Sequence, residues 1–159
     1  VAKELFKNKV NFELVFLGDG PLLKEVKFYT EDLSLDDKVI FKGKVEKVEE
    51  YLNKSDFYVH SATYEPLGLV LLESMAAGLP VITLDGKGNR DLIEEGKNGY
   101  MIYDQDPGKF AQKIIFLVEN KSKYAEISNY CKQYAEQYDI KEYVKKLLVL
   151  YNDSMSSIN

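Results

Sequence analysis

Two glutamates, Glu65 and Glu73, stand with seven residues between them in the stretch HSATYEPLGLVLLESMAAGLP, from His60 to Pro80. From Gly68 to Gly78 the residues are almost all apolar, and burying a carboxylate among apolar residues is costly unless it is paired or hydrogen-bonded. Pro66 disfavours helical backbone at Glu65, so a helix is expected to begin near Leu67 or Gly68. The first N–H groups of a helix have no intrahelical partner, and the helix dipole is positive there. A glycine at that point lets a phosphate come close. Glu73 lies about 7.5 Å further along the axis at ~1.5 Å per residue, and helical side chains lean back toward the N-terminus. The spacing therefore suits a phosphate at Gly68, a ribose whose two hydroxyls donate to Glu73, and Glu65 facing the far side of the phosphates. It equally suits a plain loop carboxylate at Glu65 and a helix-edge carboxylate at Glu73 that points to solvent beside Ser74. On spacing alone both readings stand.

Short apolar runs alternate with helix-period segments on either side of this stretch. FELVFLG, KVIFKG, DFYVHSA, PVITLD and GYMIY read as strands. PLLKEVKFYTEDL, VEKVEEYLNKS, Gly68 to Ala77 and RDLIEEG read as helices, and the chain is helical after Pro107, with a break at ENKSK. Strands that are continuous apolar runs, each followed by a helix, imply an α/β fold in which a Rossmann-like parallel sheet is flanked by helices. In such sheets ligands bind outside the carboxyl ends of the strands. Of the loops leaving the strands, GDGP, KGKV, HSATYEPLG and DGKGNRD, three hold several small or turn-forming residues, whereas the entering loops LSLDD, NKS and GLP are plainer. Residues 1–152 are read as one domain, with 153–159 as a flexible tail.

Composition narrows the function. Of 159 residues, 21 are Lys or Arg and 26 Asp or Glu, for a net charge of −5, which argues against a nucleic-acid partner. Lys44, Lys47, Lys87 and Arg90 are the local basic positions. One cysteine, Cys131, and one histidine, His60, can make neither an internal disulfide nor a His/Cys metal cluster, and the partly buried thiol of a cytosolic helix is the preferred reading of Cys131. No apolar run reaches the ~20 residues of a membrane span, and the N-terminus has no signal-peptide pattern. Of the 12 tyrosines, Tyr124, Tyr130, Tyr134, Tyr138, Tyr143 and Tyr151 fall in the terminal helices, where amphipathic packing accounts for them. Tyr64, beside Glu65, is the exception.

The acids and their surroundings, EPLGLVLLESMAAGLPVIT, resemble the E-x7-E motif of the retaining family 4 glycosyltransferases, which have the two-domain GT-B fold. FELVFLGDGPLLKEV, KVIFKGKV, DFYVHSATYEPLGLVLLESMAAGLPVI and EEGKNGYMIYDQDP are similar, in the same order, to the nucleotide-sugar half of that family. The resemblance covers roughly Phe12 to Val118. It implies that Glu73 binds the ribose hydroxyls, that Glu65 is the catalytic-site acid facing the donor sugar and phosphate, and that the N–H groups of Gly68, Leu69 and Val70 seat the diphosphate. It further implies that the turn Gly43, Lys44, Val45 contacts the base, and that Gly18 and Gly20 form the glycine loop at the nucleotide edge. A nucleotide-diphosphate-sugar is then a substrate, and no cofactor or metal is required.

Three departures from the family pattern accompany this. The family's C-terminal half opens with a further strand, a Gly-Arg loop and a Lys, and this chain starts after them. The N-terminal acceptor domain is absent. Where Gly-Gly-x-x-Glu is usual, Lys87, Gly88, Asn89, Arg90 and Asp91 stand, and solvated surface charge is the preferred role for Lys87 and Arg90. His60 precedes Ser61 where Pro-Ser is usual, and is read as a packed or hydrogen-bonded residue at a strand end. The expected function is donor binding for transfer of a sugar to an acceptor hydroxyl, in cell-surface or capsular polysaccharide synthesis. The acceptor, a sugar or a lipid-linked glycan, would be bound by the missing domain, in the cytoplasm or at the inner membrane face. A non-catalytic nucleotide-binding or assembly module is the alternative. A dinucleotide dehydrogenase is poorer, because Leu23 stands where the third glycine of G-x-G-x-x-G belongs.

Overall fold

A computed structural model describes residues 1–156. The elements run α1 (Ala2–Lys7), β1 (Leu14–Leu17), α2 (Leu23–Asp32), β2 (Val39–Gly43), α3 (Val48–Leu52), β3 (Tyr58–His60), α4 (Leu69–Ala76), β4 (Val81–Leu84), α5 (Lys87–Leu92), β5 (Gly99–Ile102), α6 (Pro107–Glu119), α7 (Lys121–Glu136) and α8 (Ile140–Ser156). This is the expected alternation. The strands are shorter than their apolar runs, and α4 begins at Leu69, just after the expected start. All the strand pairs are parallel. They form two ladders rather than one: β1 pairs with β2, and β3, β4, β5 pair in that order, with no ladder joining β1 to β3.

The core is organised on β4, which is buried at all four positions. Alternate residues of a strand point to opposite faces. Val81 packs in one apolar cluster with Leu71 and Met75 of α4, Leu92 of α5 and Ile127, Cys131 and Tyr134 of α7. Ile82 and Leu84 pack in the other, with Leu5 of α1 and Phe110, Ala111 and Ile114 of α6. Helices thus cover both faces of β4. Helix α6 starts where the sequence provides for it: Pro107 opens the first turn, and Asp106 Oδ1 accepts a hydrogen bond from Gly108 N at 2.7 Å.

Helix α4 is fixed at both ends. It closes at Gly78, whose N–H donates to Met75 O while the Leu79 N–H donates to Ser74 O, the paired bonds of a Schellman ending. The chain then passes through Pro80 into β4. The Cys131 thiol, fully buried, donates to Leu79 O and Asn98 O at 3.3 and 3.1 Å, and burial pushes its pKa up to about 12.

Helix α8 differs from α4. Its apolar positions Ile140, Val144, Leu148, Tyr151 and Met155 are exposed. It runs through residues 153–156, four positions assigned to the tail by sequence; residues 157–159 lie outside the described residues. No helix among the described residues is long and apolar enough to cross a membrane.

Because Met75 is completely buried between α4, β4 and α7, Met75→Ala is expected to lower stability by about 2–5 kcal/mol, read from the urea midpoint.

Candidate functional site

The β3–α4 loop carries Glu65, and Gly68 turns it into α4. Gly68 has φ 74° and ψ 33°, a left-handed conformation that costs little only for glycine. A Cβ there would also stand 2.8 Å from Leu92 Cδ1. The inversion points the first N–H groups of α4 out of the helix start. Gly68 N–H donates to Glu65 Oε1 at 3.2 Å, while Leu69 and Val70 N–H have no carbonyl one turn earlier to reach. Leu69 is exposed and Val70 half-buried. Glu73, further along α4, is also exposed, whereas Ser74 beside it is buried and donates to Val70 O at 2.7 Å. The carboxylate on the apolar helix is therefore not paid for by burial against a partner; it sits at the edge that faces solvent.

The end of β3 lies between the two acids. Tyr58 feels the charge of both Glu65 and Glu73, and with burial as the largest cause its phenol is pushed up to about 12. The Tyr58 hydroxyl lies 3.4 Å from His60 Nδ1, and the two rings stack with centroids 5.9 Å apart. His60 Nε2 faces Glu65 Oε2 at 3.7 Å, too long for a hydrogen bond, and has no other partner. Burial holds the imidazole below its usual pKa, with Glu65 pulling the opposite way, so the contact is with a neutral ring at pH 7. The strand-end packing expected for His60 is present, and one of its nitrogens is left over.

A second turn holds the acid loop from below. Gly88 N–H at the start of α5 donates to Glu65 O at 2.8 Å. A Cβ on Gly88 would lie 2.1 Å from that same oxygen, and one on Gly86 would lie 2.9 Å from Thr63 O. Asn89, fully buried, donates from Nδ2 to Ala62 O at 3.3 Å and to Leu84 O at 2.9 Å. The turn after β4 is thus a cradle for the loop after β3. Sequence reasoning named neither Asn89 nor Tyr58 as part of the site; the available signal was a polar residue, Asn89, between a buried strand and an apolar helix face. Arg90 is engaged elsewhere: its Nη2 donates to Asp85 Oδ2 at 2.7 Å and its Nε to Asp85 Oδ1, and the guanidinium holds the Asp85 carboxyl below the usual range. Lys87 and Tyr64 are exposed.

The remaining candidates gather at the carboxyl ends of β1 and β2. Gly18 N–H donates to Gly43 O at 2.7 Å, which ties the glycine loop to the turn Gly43, Lys44, Val45. Gly20 N–H donates to Asp19 Oδ1 at 2.7 Å. Lys44 is exposed and Val45 half-buried. Among the described residues no hydrogen bond joins this group to the Glu65 group, and no three His, Cys, Asp or Glu side chains converge as metal ligands do.

Removing the Asn89 amide leaves the Ala62 and Leu84 carbonyls without that donor. Asn89→Ala is expected to cost about 1–3 kcal/mol in urea unfolding and to speed amide exchange across residues 62–68 more than in α7.

The chain is similar to known proteins over most of its length. Over 126 residues the chain is 37% identical to spore coat protein SA of Bacillus subtilis (strain 168), covering 76% of this chain and 33% of that protein. Over 147 residues it is 31% identical to the poly(ribitol-phosphate) alpha-N-acetylglucosaminyltransferase of Staphylococcus aureus (strain COL), covering 91% of this chain and 29% of that one. The crystal structure of the pneumococcal O-GlcNAc transferase GtfA in complex with UDP and GlcNAc matches with a TM-score of 0.84 at 25% identity, over 97% of this chain and 32% of that chain. The chain spans about a third of the length of these proteins. Its fold is that of the C-terminal, Rossmann-like half of GT-B glycosyltransferases. Residues 1–151 match the family described as glycosyl transferases group 1, and a match over nearly the whole length means that the chain belongs to that family.

Proposed function

We propose that this chain is the donor-binding part of a retaining glycosyltransferase, and that it takes a nucleoside-diphosphate sugar at the start of α4. One observation carries the reading: Glu65 and the inverted Gly68 stand at the start of α4, at the carboxyl end of β3, with Glu73 exposed further along the same helix. The N–H groups of Gly68, Leu69 and Val70 would receive the diphosphate, which also fits the helix dipole. Because the diphosphate leaves with the negative charge, donors fixed in advance at that point favour the transition state. Glu73 accepts the two ribose hydroxyls. Glu65 orients the sugar. The base rests on Gly43, Lys44 and Val45, with Gly18 and Gly20 beside it. UDP in the GtfA complex supports a uridine nucleotide as the first to try.

The acceptor hydroxyl comes to this site from the rest of a longer polypeptide. The unpaired edges of β1 and β3 are where the further strand suggested by the family resemblance would pair. A sugar or a lipid-linked glycan is the acceptor class, in cell-surface polysaccharide synthesis carried out in the cytoplasm or at the inner face of the membrane.

Calorimetric titration with UDP, ADP and GDP tests the reading. At least one is expected to bind, and Glu73→Ala to weaken it by roughly ten- to a hundredfold, the loss of hydrogen bonds to a charged group. Silence from every nucleoside diphosphate at millimolar concentration would sink the donor site and favour an assembly module.

A further inference from the structure

The Gly68 N–H that the diphosphate needs already has a carboxylate on it. Glu65 Oε1 accepts from that N–H at 3.2 Å, so an incoming diphosphate meets an anion at its first donor and must displace it. The other oxygen, Oε2, lies 3.7 Å from His60 Nε2. That nitrogen and Asn89 Oδ1 are the two buried side-chain polar atoms without a hydrogen-bond partner among the described residues, and such a group is costly to leave unmade. The groups that face His60 set its proton. The Tyr58 hydroxyl, held neutral, lies 3.4 Å from Nδ1; in the tautomer where it donates to that nitrogen, the imidazole hydrogen stands on Nε2, toward Glu65. Across the ladder His60 pairs with Thr83 of β4, which does not titrate. Glu73 acts on Tyr58 from α4.

We propose that His60 is a positioning residue that receives the Glu65 carboxylate when a diphosphate takes the Gly68 N–H. A shift of well under 1 Å brings Oε2 to hydrogen-bond distance of Nε2. The displaced acid is then held at the mouth of the site by the chain Tyr58 O–H to Nδ1 and Nε2–H to Oε2, rather than swinging into solvent or against the phosphates. No bond is made or broken and no proton leaves the chain. The inference rests on reading the α4 start as the diphosphate seat.

UDP titration of the full chain separates the two ideas. His60→Leu keeps an apolar side chain of similar bulk and removes the receiver; it is expected to weaken UDP about tenfold, the scale of one hydrogen bond to a charged group. His60→Gln, whose amide reaches Glu65, is expected to stay within about twofold of the parent. In a Glu65→Ala background, which has no carboxylate to receive, His60→Leu is expected to change nothing. Should His60→Leu fail to fold by circular dichroism, His60→Gln against His60→Asn carries the same test, since the shorter amide cannot span the gap and should lose the binding. UDP bound equally by the parent and His60→Leu, or weakened as much by His60→Gln as by His60→Leu, overturns the role of His60 and leaves the donor site standing. No UDP binding by the parent chain overturns both.

Discussion

The candidate site depends on how the turn after β4 grips the loop after β3, through Gly88 N–H to the carbonyl of Glu65 and the Asn89 amide to that of Ala62. The loop that carries Glu65 belongs to no strand or helix, and its exposed side chains give it little apolar contact of its own. It is pinned from the next βα unit, where Gly86 and Gly88 have no room for a side chain and Asn89 supplies an amide. The position of the acid is therefore set by how α5 starts, and α5 is set by β4. A loop backbone held by neighbouring rigid elements stays in place when a side chain it carries changes partner.

β4 can bear this role because it is buried on both faces by two separate apolar clusters. The carboxyl edge of the strands is divided in two, and the edges left open at the division are those of β1 and β3. The β3–β4–β5 ladder is anchored in the core, whereas β1 and β2 form a ladder of their own, with Phe16 and Phe41 stacked at 5.2 Å and Phe16 still exposed. The residues read as base contacts are therefore on a thinner platform than the residues read as phosphate and ribose contacts.

Much of this was legible in the residues themselves. Alternating apolar runs and helix-period segments located the strands and helices to within a few positions, and the Pro66–Gly68 pair located the start of α4 because proline and glycine act through their own backbone geometry. The exposed position of Glu73 was one of two open readings. What could not be read was tertiary. Nothing local to Asn89 or Gly88 says that they meet a loop more than twenty positions earlier in the chain. Helix α8 passes the expected boundary because its tail positions, mostly polar, remain compatible with helix. Arg90 was read as solvated surface charge; it is exposed, and its partner Asp85 lies five positions back across a turn.

The lone cysteine has a consequence of a different kind. Cys131 is sealed under the contact of α7 with α4, its thiol bound to two carbonyls and held protonated. Thiol reagents attack thiolates, so this one reacts only when the α4–α7 face parts. The rate at which a thiol probe labels the protein is therefore a gauge of how often the scaffold beneath the candidate site opens, with a single reporter and no engineering of the chain.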